Sequence, residues 1–144
     1  MNHLAAEFMV SAGMVVLCVM LHGLGIFGLN RIMRTETAIE RLKRIDPLSP
    51  RGAAFTLSIV LAMFALHALE IWAFSIVYYV SHAIPNFEDA LYFSTISYST
   101  VGYNDTHISP DWRLLGAFES ILGVFLLGWS TSFFFRMLGR MEGH

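Results

Sequence analysis

Three apolar runs, each long enough to cross a lipid bilayer, constrain this chain more than any other feature of its sequence. They are Met9–Leu29, Ala53–Val80 and Leu114–Phe135, and one crossing takes roughly 20 residues. The ionisable residues inside them are few: His22 in the first, His67 and Glu70 in the second, Glu119 in the third. Only 14% of the 144 residues are charged and 56% are hydrophobic, whereas a soluble domain carries about 25% charged residues. Hydrocarbon offers backbone N–H and C=O groups no partners, so such runs must close their hydrogen bonds within helices. The sequence therefore predicts an all-α membrane protein.

Charge placement sets an expected orientation. No Lys or Arg precedes the first run, only His3 and Glu7, and the run exceeds the core of a cleaved signal. It reads as a retained helix with its N-terminus outside. Six of the nine basic residues (Arg31, Arg34, Arg41, Lys43, Arg44, Arg51) lie between the first two runs, and Arg136 and Arg140 follow the third. Basic loops stay in the cytoplasm, which puts the C-terminus inside and Ser81–Arg113, with Glu88, Asp89, Asp105 and Asp111, outside. A multi-pass protein of the cell's inner (plasma) membrane is expected. Cys18 is the one cysteine, too few for a disulfide or thiolate metal site within one chain, and is expected to pack.

Between the first two runs, Ala38, Ile39, Leu42 and Ile45 recur at helical spacing among basic residues, as in a helix lying on the inner membrane surface. Pro47 and Pro50 end it. The pairs Arg31/Arg34 and Arg41/Arg44 lie outside the apolar runs and read as a solvated anchor rather than a voltage sensor. Beyond the second run, Asn86 is placed to cap a short helix over Phe87–Tyr98, with Glu88 and Asp89 in its first turn. Twelve residues reach about 18 Å, only partway through a bilayer. Tyr78, Tyr79 and Trp112 are expected to anchor helix ends at the interface.

Directly after that half-length helix comes Ser99-Thr100-Val101-Gly102-Tyr103-Asn104-Asp105. Non-helical backbone at membrane depth is tolerated only where protein buries it or it lines water. The stretch Ala90–Asp105 resembles the pore helix and selectivity filter of tetrameric potassium channels, departing from Thr-Val-Gly-Tyr-Gly-Asp at one position. The likeness covers Ala53–Leu138. It implies an outer helix over 53–80, a pore helix over 87–98, a filter over 100–104 and an inner helix over 112–138. Residues 1–30 are then an additional transmembrane helix, 31–52 a cytoplasmic basic segment and 139–144 a short tail. The implied fold class is three transmembrane helices plus a re-entrant pore helix and filter loop per subunit, arranged as a homotetramer.

By the same resemblance, the Thr100 hydroxyl and the carbonyls of Thr100, Val101, Gly102 and Tyr103, with Asn104 closing the strand, would replace the water shell of a potassium ion. Tyr92, Phe93, Ile96 and Asp105 would support the filter. The chain departs from the family at three of these places. Asn104 replaces a glycine, a change that left-handed backbone accepts at a cost of about 1 kcal/mol per strand. Phe93 stands where relatives often carry Trp, so Asp105 loses an N–H donor and needs another partner, such as Tyr92 or water. Ile96 puts an apolar group where some relatives have a carboxylate. A gate is expected among Gly123, Gly128 and the run Phe133, Phe134, Phe135, with close helix packing as the alternative role of the glycines.

Ionisable groups inside spans are costly and often functional. His67 and Glu70, at i and i+3, share a helix face as a structural or proton-sensing pair. Glu119 falls where it can meet the pore helix. A haem or metal shared by His22 and His67 is disfavoured, because level antiparallel spans set them about 10 Å apart in depth. Gly23-x-Gly25-x-x-Gly28 mimics a dinucleotide fingerprint but sits inside an apolar run and is read as packing. No nucleophile and base stand together, so no enzyme is expected. Neither are a cofactor beyond potassium ions in the filter, a nucleic-acid partner or a small-molecule substrate. The expected function is a potassium-selective pore subunit whose partners are itself and the bilayer. A weakly selective cation channel and a non-conducting pore-like scaffold are the alternatives.

Overall fold

A computed structural model describes residues 2–34, 49–102, 106 and 108–141. Of the expected surface helix over 31–46, residues 31–33 continue the first helix, while residues 35–46, together with Tyr103, Asn104, Asp105 and the last three residues of the tail, lie outside the described residues. The chain is all-helical, with α1 over Asn2–Met33, α2 over Pro50–Val80, the short α3 over Phe87–Tyr98 and α4 over Arg113–Met141. Among the described residues, three segments are long and apolar enough to cross a membrane: His3–Met33, Pro50–Val80 and Pro110–Gly139. This is a multi-pass membrane protein.

Local chemistry fixes where the helices begin. Ser49 caps α2 by accepting from the Gly52 amide at 3.1 Å, with Pro50 in the first helical position, where its missing N–H costs nothing. Asn86 caps α3 by accepting from the Glu88 amide at 3.0 Å. A 3₁₀ turn over Pro110–Trp112 leads into α4. The Leu114 amide in its first turn donates to the Glu7 carboxylate of α1, which is 5% exposed. An acid suits the positive end of a helix, so α1 supplies α4 with a cap that α4 lacks in its own sequence.

The short α3 packs between α2 and α4, while α1 lies chiefly along α4 and touches α2. Buried apolar side chains form two clusters. The one nearer the α2–α3 loop contains Met14, Cys18, Phe74, Tyr78, Phe93, Tyr98, Leu115, Leu122 and Leu126. The other, toward the Arg34, Arg51 and Arg136 end, contains Ile26, Ile59, Met63, Leu66, Phe133 and Met137. Gly25 allows α1 to approach α2, since a Cβ there would sit 2.7 Å from Leu66. That is packing, as its apolar setting implied. Tyr78 departs from its expected place at the interface: it is fully buried, whereas Tyr79 is 46% exposed. The cause is a buried acid that takes the Tyr78 hydroxyl, described next.

Candidate functional site

The C-terminal end of α3 carries the residues that the sequence singles out. Its last turn closes as a Schellman motif: the Thr100 amide donates to the Ser97 carbonyl and the Val101 amide to the Ile96 carbonyl, both at 3.1 Å. This motif requires a left-handed residue just past the helix, and Thr100 takes it at φ 58°. Glycine usually fills that place because a Cβ costs about 1–2 kcal/mol there. The chain then turns outward, with Val101 81% exposed and open space around Gly102. Of the supporting residues, Phe93 is buried edge-on against Tyr78, with centroids 5.2 Å apart. Ile96 is half-buried, and Tyr92 faces away from the chain.

Behind α3 two polar groups interrupt the apolar interior. In the first, Glu119 of α4 accepts from the Tyr78 hydroxyl of α2 at 2.6 Å and from the Ser94 hydroxyl of α3. Ser94 also reaches the Ile71 carbonyl at 3.0 Å. Glu119 thus meets α3, as its position along the chain implied, and it ties three helices together with no exposed surface.

The second group forms a layer between the two apolar clusters. Glu70, fully buried, lies between two imidazoles: His22 Nδ1 is 2.9 Å from Oε1 and His67 Nδ1 is 3.3 Å from Oε2. The Tyr98 hydroxyl, from the last residue of α3, donates to Oε2 and lies 2.8 Å from His67 Nδ1. On the far side of His22, Nε2 is 3.2 Å from the Ser130 hydroxyl of α4. All four helices contribute to this layer. With Glu70 ionised, its carboxylate only accepts and each nitrogen facing it carries the hydrogen.

This layer corrects one expectation. The His22 and His67 ring centroids are 5.2 Å apart, not separated in depth. Level apolar ends were the wrong reference. His22 lies 11 residues before the end of α1 and His67 lies 17 residues after the start of α2, so contact requires the helices to be offset by about 9 Å.

The family model described as an ion channel matches residues 66–140, just over half of the chain, and spans the C-terminal half of α2, all of α3 and nearly all of α4. The chain belongs to this ion-channel family, of the two-helix potassium-channel type. No curated protein and no solved structure matches it. Helix α1, which provides His22 and Glu7, lies outside the family match.

In this ion channel the residues proposed as a gate separate into two sets. A Cβ on Gly123 would lie 2.0 Å from the Tyr98 carbonyl oxygen, which gives Gly123 the packing role. Gly128 has nothing within 4 Å. Phe133 is 4% exposed in the cluster with Ile26, Ile59 and Met137, while Phe135 is 65% exposed and Phe134 half-buried. Phe133 lies one turn from Ser130 and shares its inward face, which the bare run of three phenylalanines does not reveal. Glu7, Ser94, Tyr98 and Ser130 were absent from the expected sites. Glu7 and Ser130 are polar groups beside or inside an apolar run, which was the available signal for them, while Ser94 and Tyr98 lie on the short helix over 87–98 and carried none.

Proposed function

We propose that this ion channel is the pore-forming subunit of a homotetrameric, potassium-selective channel that conducts passively. The observation that carries the reading is the junction at Thr100. A half-length helix packed between two spans ends there, and Val101 and Gly102 leave the chain's own surface exposed in a Thr-Val-Gly-Tyr sequence. One chain supplies one strand of carbonyls, so a cation cage needs several copies around an axis. The exposed apolar side chains of α4, Ile121, Val124 and Phe125, are suited to contact with other copies and with lipid. The pore unit then comprises residues 53–138, with α1 as an addition. The positive-inside rule favours an outside N-terminus and a cytoplasmic C-terminus in the plasma membrane.

Asn104 favours a second reading, a weakly selective cation channel, since its Cβ stands where the family pattern has glycine. The test is to reconstitute the purified protein in liposomes, compare potassium with sodium flux, and weigh the particle. A mass of about four chains with potassium flux well above sodium flux supports the proposal. Equal fluxes favour the second reading, and no flux from a tetramer leaves a pore-like scaffold.

A further inference from the structure

We infer that His22, His67 and Glu70 form a buried site for a divalent transition metal of the zinc class, with the Tyr98 hydroxyl as its fourth donor. One ligand atom from each of the first three lies within 4.8 Å of the others. Two donors on a tetrahedral zinc ion, at bonds of about 2.0–2.1 Å, are about 3.3 Å apart. His22 Nδ1 lies 2.9 Å from Glu70 Oε1, and His67 Nδ1 lies 3.3 Å from Oε2 and 2.8 Å from the Tyr98 hydroxyl, at or below that spacing. The Tyr98 hydroxyl sits closer still to Oε2, so the donors must move apart to admit the ion. The ion would take the place of the protons that these atoms now share.

The surroundings have the chemistry of a metal centre. Histidine ligands use their second nitrogen to fix the ring, and His22 Nε2 meets the Ser130 hydroxyl at 3.2 Å. Two imidazole nitrogens with two oxygens suit zinc or cobalt, whereas calcium and magnesium call for six or more oxygens. Charge points the same way. Glu70 is fully buried in a membrane-spanning helix, and among the described residues its only ion-pair partners are the two histidines. Binding a divalent ion with release of the Tyr98 hydroxyl proton to solvent leaves the ion, the Glu70 carboxylate and the Tyr98 phenolate at zero net charge, the condition hydrocarbon favours. The His67 side chain, 12% exposed, marks the side from which an ion would enter. Bound there, the ion links α1 to α2 and to the last residue of α3.

The experiment uses the full chain in detergent, without a histidine tag, stripped with chelator and titrated with Co²⁺. About one Co²⁺ per chain is expected, with the visible absorption of a four-coordinate ion, abolished by added Zn²⁺. The same titration on a variant combining His3→Gln, His82→Gln, His107→Gln and His144→Gln, every other histidine of the chain, should give the same spectrum and stoichiometry. Glu70→Gln should weaken binding at least tenfold. Stoichiometry below about 0.1 per chain, or a spectrum lost in the four-histidine variant, overturns the proposal and leaves a layer held by protons alone. None of these readouts depends on ion flux, so the site can fail while the channel reading stands.

Discussion

The last residue of α3 and the middle of α4 meet backbone to backbone: a Cβ on Gly123 would fall 2.0 Å from the carbonyl oxygen of Tyr98. Backbone cannot rotate aside as a side chain does. Gly123→Ala is therefore expected to push α3 and α4 apart and to destabilise the protein by about 1–3 kcal/mol, the usual cost of overpacking. Because Thr100 follows Tyr98 by two residues, flux should fall as well. Gly128→Ala meets nothing within 4 Å and should leave stability unchanged or slightly raised, since alanine favours helix. Thermal unfolding in detergent, with flux from liposomes, measures both. Equal behaviour of the two variants would refute the packing role of Gly123.

Glu119 offers a separate test of what fixes α3. It accepts from Tyr78 and Ser94, so Glu119→Leu removes an acceptor from each hydroxyl in a fully buried place. A cost of about 1–3 kcal/mol is expected for that loss. Ser94 retains the Ile71 carbonyl, which places most of the cost at Tyr78. Glu119→Gln preserves a carbonyl acceptor of nearly the same shape and should recover the larger part. Chemical or thermal unfolding of the two variants compares them directly. A Gln variant as unstable as the Leu variant would mean that the negative charge, rather than the acceptor, matters.

Local chemistry made much of the fold legible, and lateral packing limited the rest. Apolar run length announces each span, and Asn86 with Glu88 and Asp89 marks where α3 begins. The second span read as starting at Ala53 because hydropathy ignores the cap that Ser49 provides. Which side of a span faces its neighbours is not encoded in hydropathy, since lipid and protein interior are equally apolar. That ambiguity misplaced Tyr78. It also kept His22 from His67, because the ends of apolar runs do not fix how far one helix slides along another. The Glu7–Leu114 contact spans 107 residues, and no local pattern signals it. At the candidate site, the Thr-Val-Gly-Tyr motif was plain in the sequence, but the pairing of Glu70 with His22 and Tyr98 needed three dimensions.

Ser97 carries the one buried side-chain oxygen without a hydrogen-bond partner among the described residues. Burying a hydroxyl unpaired is unfavourable, so removing it should help or do no harm. Ser97→Ala is expected to be neutral or stabilising by up to about 1 kcal/mol in the separated chain. If neighbouring copies supply the partner in an assembled channel, the same change should instead lower the stability of the assembly. Measuring unfolding of the dissociated chain and dissociation of the oligomer separates the two. Loss of stability in both would place the missing partner within the chain itself.

Under the proposed potassium-channel reading, Asn104, where the family pattern has glycine, is the residue to test for selectivity. A filter strand that turns its carbonyls toward an axis demands backbone angles that glycine reaches freely and asparagine reaches at a cost of about 1 kcal/mol. In a tetramer that cost recurs in every strand, so Asn104→Gly should relieve about 4 kcal/mol in total where the geometry is left-handed. The extra chain freedom of glycine in the unfolded state offsets about 0.4–1 kcal/mol per chain of it, so the net gain lies in the strand geometry rather than in overall stability. Relieved strain sharpens the cage, and the ratio of potassium to sodium flux should rise severalfold while Asn104→Ala lowers it. Asparagine tolerates the left-handed region better than alanine does, which fixes the order Gly, Asn, Ala. Fluxes in that order would place residue 104 in the strand that handles the ion. Identical ratios across the three would show that its backbone is extended there, with selectivity determined nearer Thr100.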